Sequence, residues 1–189
     1  MKRSLLAIAI LSLPLAAGAA ELNYNFIEGG YSQLDPDGSG GEADGFGMNG
    51  SVSIGQGLFL YGGWSSNEID GASGDVDVQR IGLGWRNALS NQTDLVVNAN
   101  YLKFDVDIAG MGFGFDADGY EAEVGVRHAF GERFEGQASL GYVDGGDFSG
   151  DVYGKLSGQF RFNQRWGLVG STVIRDDVKE YFIGPRLSF

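Results

Sequence analysis

The sequence predicts an all-β fold: an antiparallel up-and-down transmembrane β-barrel of ten strands, with eight as the alternative if two weaker segments merge. Three observations predict it. First, the stretch 181–189 alternates: Tyr181, Ile183, Leu187 and Phe189 share one parity with Pro185, and Phe182, Gly184, Arg186 and Ser188 take the other. Strand side chains point to opposite faces with period two, so this stretch has one apolar face and one mostly polar face. Second, segments of the same kind recur along the chain, each roughly the 9–11 residues that a tilted transmembrane strand needs. Third, aromatics gather at the segment ends. Trp85, Phe134, Phe162, Trp166 and Phe189 mark one boundary, and Tyr31, Phe46, Tyr101, Tyr120, Tyr142 and Tyr181 mark the other. A membrane interface selects two such girdles.

Residues 1–20 read as a cleaved secretory signal peptide, leaving 21–189 as the barrel. Lys2 and Arg3 precede an apolar run, 5–15, and Ala17-Gly18-Ala19 supplies a small-residue cleavage site, with cleavage after Ala19 or Ala20. The run is well short of the ~20 apolar residues that a membrane anchor requires.

The first strand is expected over 22–34, with Ile27, Gly29 and Tyr31 outward and Glu28 inward. A turn-rich acidic loop, 35–42, follows. The second strand, 45–54, sets Phe46, Met48, Val52 and Ile54 against Asn49, Ser51 and Ser53. Gly55-Gln56-Gly57 turns into the third, 58–67, with Leu58, Leu60 and Trp64 on one face. After an acidic loop, 69–75, the fourth strand, 76–85, turns Ile81, Leu83 and Trp85 out and Arg80 in. Residues 86–94 read as a polar connection. In the fifth strand, Leu95, Val97, Ala99 and Tyr101 alternate with Asn98, Asn100 and Leu102; the longest loop is then expected over 105–118. The sixth strand, 119–129, alternates most cleanly: Tyr120, Ala122, Val124 and Val126 against Glu121, Glu123, Gly125 and Arg127. In the seventh, Phe134, Ala138, Leu140 and Tyr142 oppose Glu135, Gln137 and Ser139. The eighth, 152–162, sets Leu156, Phe160 and Phe162 against Lys155, Gln159 and Arg161; a turn at 163–165 leads to the ninth, 166–174, and 175–179 leads to the last.

An even count puts both ends of the chain on one side, as bacterial single-chain barrels require. Odd-numbered connections are acidic and mostly longer; even-numbered ones are shorter and hold Arg86, Arg133 and Arg165. A soluble β-sandwich or lipocalin-like barrel also alternates. Its apolar face, however, would point inwards, and the opposite face here lacks long solvating rows.

Composition excludes other classes. The net charge of −12 is the wrong sign for a nucleic-acid partner. Zero cysteines in an exported chain exclude a disulfide scaffold and Cys-ligated metals. No cofactor motif is present.

Tyr24-Asn25-Phe26-Ile27-Glu28-Gly29-Gly30-Tyr31, Gly119-Tyr120-Glu121-Ala122-Glu123-Val124-Gly125-Val126-Arg127, Asn163-Gln164-Arg165-Trp166-Gly167-Leu168 and Gly184-Pro185-Arg186 resemble the small outer-membrane proteins of xanthomonads and their relatives, once put forward as activators of a rice immune receptor. The resemblance runs from the signal peptide to Phe189 and is weaker in the loops. It implies outer-membrane residence and a surface, vesicle or signalling role, and supplies no catalytic or ligand residue. Gly184, Leu187 and Phe189 also resemble the terminal signal by which the barrel-assembly machinery recognises outer-membrane barrels. Phe182 is apolar where that signal usually has a polar residue.

The candidate functional constellation is the inward charge. Arg80, Glu121, Glu123, Arg127, Lys155, Arg161 and Arg186 are expected to project into the lumen. Enclosed charges are costly unless paired and hydrogen-bonded, so they read as a network that fills a narrow barrel. A charge-lined, gated pore is the alternative. Small barrels are filled by side chains, whereas those of about sixteen strands leave a channel.

The acidic loops carry Asp35, Asp37, Glu42, Asp44, Asp70, Asp75, Asp105, Asp107, Asp116, Asp118, Asp144, Asp147 and Asp151. Asp35-Pro36-Asp37-Gly38 lacks the third ligand and closing Glu of a Ca²⁺ loop. The loops therefore read as a solvated rim, open to divalent bridging with lipopolysaccharide or to an extracellular ligand. Catalysis finds no support. The single histidine, His128, is expected at the periplasmic boundary beside Ala129 and Phe130, without a nucleophile.

Overall fold

The computed structural model describes residues 22–37, 41–71, 74–108, 113–145 and 150–189. The expected signal peptide lies outside the described residues. Ten strands run β1 (Phe26–Pro36), β2 (Ala43–Gly55), β3 (Leu58–Ile69), β4 (Gly74–Ser90), β5 (Thr93–Ile108), β6 (Phe113–Ala129), β7 (Phe134–Gly145), β8 (Asp151–Arg161), β9 (Trp166–Ile174) and β10 (Val178–Ser188). Each pairs with its sequence neighbours, and β10 pairs antiparallel with β1 to close the barrel. Closure leaves no sheet edge, so every ladder N–H and C=O has a neighbour to bond without water.

The apolar face points outwards. On β7, Leu140 is 65% exposed while Glu135, on the other parity, is 3% exposed. Ile81, Leu83, Val124, Leu156 and Ile183 are likewise exposed, and Glu28, Asn98, Glu121, Glu123 and Arg127 are buried. A soluble barrel has the reverse arrangement. An apolar exterior around a polar bore is a transmembrane design. Trp85, Phe134, Phe162, Trp166 and Phe189 are exposed near the end with the short turns; Tyr101 and Tyr120 pack edge-to-face, 5.6 Å apart, in the opposite girdle.

Several expected boundaries are corrected. The loop expected over 105–118 is mostly a paired extension of β5 and β6, with Asp105 opposite Asp116 and Val106 opposite Phe115. Its Asp and Gly content resembles a loop, but Leu102, Phe104 and Val106 keep the inward parity and β4 supplies a second ladder. The polar connection expected over 86–94 is the end of β4 and the start of β5. Arg86 accordingly lies in β4 rather than in a turn, and its backbone N–H donates to Gly57 O at 2.7 Å. Asp44, Asp75, Asp118, Asp144 and Asp151, expected in loops, also lie in strands. The first strand starts at Phe26, not at residue 22: Leu22 and Tyr24 are buried inside the barrel mouth.

The closing seam is set by small residues. Glu28 faces Arg186 and Tyr31 faces Ile183, in one continuous register. Between them, Gly29 and Gly30 lie against Gly184 and Pro185. A Cβ on Gly184 would sit 2.2 Å from Gly29 O, and one on Gly30 would sit 2.2 Å from Ile183 O. Pro185 has no N–H to donate there. Gly184 therefore carries a steric requirement at the seam, independent of any recognition by assembly machinery.

Gly184→Val should destabilise the folded barrel by about 1–3 kcal/mol, the usual cost of overpacking. The check is the thermal midpoint of heat-modifiable gel mobility after refolding in detergent, where no assembly machinery acts. Gly154→Ala, where nothing lies within 4 Å of the added carbon, should leave that midpoint unchanged.

Candidate functional site

The site is the bore, and strand parity builds it. Arg80, Glu121, Glu123, Arg127, Lys155, Arg161 and Arg186 all project into it, and they divide into three tiers along the axis. Residues two apart on one strand face are about 6.6 Å apart along it, so Glu121, Glu123 and Arg127 reach different partners.

In the half with the acidic loops, Arg80 Nε donates to Glu121 Oε2 at 2.8 Å. Arg175 Nη2 reaches Glu121 Oε1 at 3.3 Å and Glu180 Oε1 at 2.9 Å. Asn100 Nδ2 donates to Glu121 at 3.3 Å. In the middle tier, Glu123 accepts from Asn98 Nδ2 at 3.0 Å and from Tyr153 OH at 3.5 Å, with Lys155 Nζ 3.7 Å away. The third tier lies towards the short turns, the periplasmic end in barrels of this kind. There Glu135 is shared by Arg127 and Arg161, and Arg186 Nη1 approaches it to 3.7 Å. Arg186 Nε also donates to Glu28 Oε2 at 2.6 Å, and its Nη1 donates to Gln159 Oε1 at 3.0 Å.

Arg127 shares a strand face with Glu121 and Glu123 but pairs with neither, standing two tiers from the first and one from the second. Glu28, Glu135, Arg175 and Glu180 belong to the network although none was counted in it. Glu28 and Glu135 already had the inward parity. Arg175 was hidden because it follows the end of β9, in a stretch that reads as a connection.

Two apolar clusters accompany the charged tiers. Val78, Leu102, Val143, Tyr153 and Val173 form one cluster in the loop half. Leu22, Tyr24, Phe59, Val96 and Ala129 form another at the short-turn end. Beside them a cavity of about 180 Å³ runs along the bore, lined mostly by β1–β3 and β7–β10. Gly47, Ser51, Gly63, Ser65, Ser157 and Ser171 line it, so small side chains create the space. Phe182 also lines it, lying 3.4 Å from the position of a Cβ on Gly47. That places Phe182 in the bore, on the parity that the sequence made polar.

His128 stays outside this arrangement. Its Nδ1 is 2.8 Å from Thr93 Oγ1 and its ring packs on Phe130 at 4.6 Å. No carboxylate orients it, so it is held as an interfacial polar group. Among the described residues, no group of three or more His, Asp or Glu could hold a metal ion.

No family model matches the chain, and no curated protein matches it. Solved structures do. The KdgM porin aligns at 12% identity over 86% of this chain and 99% of its own, with a TM-score of 0.48. Ail, the attachment invasion locus protein of Yersinia pestis, aligns at 15% identity over 90% of this chain and 100% of its own, with a TM-score of 0.43. The translocator domain of the autotransporter NalP from Neisseria meningitidis aligns at 9% identity over 90% of both chains, with a TM-score of 0.48. At these identities the likeness concerns the fold.

Glu135→Gln would leave three guanidinium groups in the third tier without their shared carboxylate. Breaking a buried pair from one side costs about 3–5 kcal/mol. Urea unfolding of the refolded variant, followed by tryptophan fluorescence, should show a loss of that order.

Proposed function

We propose that the chain is a small Gram-negative outer-membrane barrel whose bore is closed, and that its role is non-enzymatic and exercised at the cell surface. One observation carries this reading: six carboxylates of the bore, among the described residues, each have a cation within 4 Å. Glu28 has Arg186, Asp94 has Arg86, Glu121 has Arg80, Glu123 has Lys155, Glu135 has Arg127 and Glu180 has Arg175. Separating paired charges to make room for a passing ion is costly. Two apolar clusters fill further parts of the bore, one in each half.

The surface role falls to the acidic rim. The extensions of β4, β5 and β6 set Asp75 against Asp107, Asp77 against Asp105, and Asp105 against Asp116. Like charges facing across a ladder repel, and Lys103, 2.8 Å from Asp105, offsets only part of this. Such a rim favours lipopolysaccharide bridged by divalent cations, or a cationic extracellular partner. The resemblance to the xanthomonad outer-membrane proteins supports the same setting. Export through a signal peptide and insertion by the barrel-assembly machinery complete the proposal. The second reading, a narrow gated channel, is favoured by the cavity on the β1–β3 side.

Single-channel recording of the refolded mature protein in a planar bilayer decides between them. The wild type should be silent in a sample whose gel mobility is heat-modifiable. Discrete steps that change in Glu123→Ala would overturn the closed-bore reading.

A further inference from the structure

The geometry points to residues 22–25 as a removable stopper that seals the lumen cavity from the periplasmic end. This goes beyond the closed-bore reading, because it names the one element of the closure that is not part of the barrel wall.

The segment precedes β1 and turns across the mouth instead of joining the sheet. Its base is pinned at Asn25. The Asn25 backbone N–H donates to Asn23 Oδ1 at 2.8 Å, its Oδ1 accepts from Ser53 N–H at 2.7 Å, and its carbonyl accepts from Phe189 N–H at 3.1 Å. From that base Tyr24 reaches the opposite wall. Its ring packs 4.9 Å from Phe59 on β3. The guanidinium groups of Arg86 on β4 and Arg127 on β6 lie 4.9 and 4.6 Å from its centroid. Its hydroxyl donates to Asp94 on β5 at 3.0 Å. The anchor thus touches four consecutive strands without a backbone bond to any of them. Its hold is one apolar stack, two cation–π contacts and one charged hydrogen bond.

The cavity makes this position consequential. Tyr24, Arg127 and Glu135 line its short-turn end, and Leu34, Ser65 and Glu180 line it towards the loops. It therefore extends along much of the bore, behind the segment. Swinging Tyr24 out would open that space to the periplasm and leave Asp94 and two arginines exposed at the entrance. The expected traffic is small hydrated ions, given a volume of about 180 Å³.

The test compares planar-bilayer conductance of the wild type, Tyr24→Ala and Phe59→Leu, each shown to be folded by heat-modifiable mobility, in potassium chloride. Tyr24→Ala should convert a silent barrel into one with discrete steps, and Phe59→Leu should give rarer, briefer openings. A folded but silent Tyr24→Ala overturns the stopper, as does failure of both variants to reach the folded form, since the segment would then be structural core. Wild-type conductance would sink the closed-bore reading alone. The stopper would then stand if Tyr24→Ala raised that conductance and fall if it left it unchanged.

Discussion

The constraint on which the rest depends is that backbone polar groups in a bilayer must bond to one another. A sheet meets it only by closing, and closing this one requires β10 to meet β1. Glycine at 30 and 184 lets those strands approach at the place where Pro185 removes a donor. Once the sheet is closed, period two does the sorting. Every side chain faces either lipid or bore, and a slip of one residue would exchange the two sets. Leu140 against Glu135, or Ile81 against Arg80, therefore fixes register as firmly as the turns do.

Closing ten strands also creates an interior that must be filled. Apolar filling would have made both faces alike and weakened the register signal. Charge filling keeps inside and outside distinct, but it needs partners. The solution here is local pairing by tier: Glu121 and Glu180 with Arg80 and Arg175, Glu123 with Lys155, and Glu135 and Glu28 with Arg127, Arg161 and Arg186, a tier with one cation more than its carboxylates. Arginine predominates because its fork can serve two acceptors at once, as Arg175 and Arg186 both do. Asn98 and Asn100 add donors to Glu123 and Glu121 that the cations alone do not supply.

The architecture was legible because parity is a sequence property. The ten segments, with eight as the alternative, and the inward direction of Arg80, Glu121 and Arg127 follow from alternation, and the even count and alternating connections give the antiparallel order. What stayed hidden depends on distance along the barrel axis, which parity does not encode. Arg127 reaches Glu135 on β7 rather than Glu123 on its own strand because the register of β6 with β7 sets Gln137 opposite it and Glu135 on the adjacent diagonal, nearer than a residue four positions away along its own strand. Composition misled in the extensions of β5 and β6, where acidic and glycine residues resemble a loop although the inward apolar parity continues through Val106. Arg175 was missed for a related reason: a connection of three residues between β9 and β10 keeps it within reach of the bore, beside Glu180, which shares the inward parity of Arg186.

The segment 22–25 shows the limit most clearly. Read alone, Leu22, Tyr24 and Phe26 alternate with Asn23 and Asn25, a good first turn of a strand. The ladder with β10 continues only as far as the Phe189 N–H to Asn25 carbonyl bond, and Ser53 on β2 bonds the Asn25 side chain instead of its backbone. The segment is left with two apolar side chains and no sheet to join. Turning them outwards would expose them to water beyond the girdle; turning them inwards buries Leu22 and Tyr24 against Phe59 and Val96. Burial of that kind is worth about 1.5–3 kcal/mol for a large apolar side chain. Barrel strands, by contrast, are held by ladders on both sides along their full length. The contact that shuts the periplasmic mouth is thus much weaker than the wall it rests on, and that difference separates a plug from a strand.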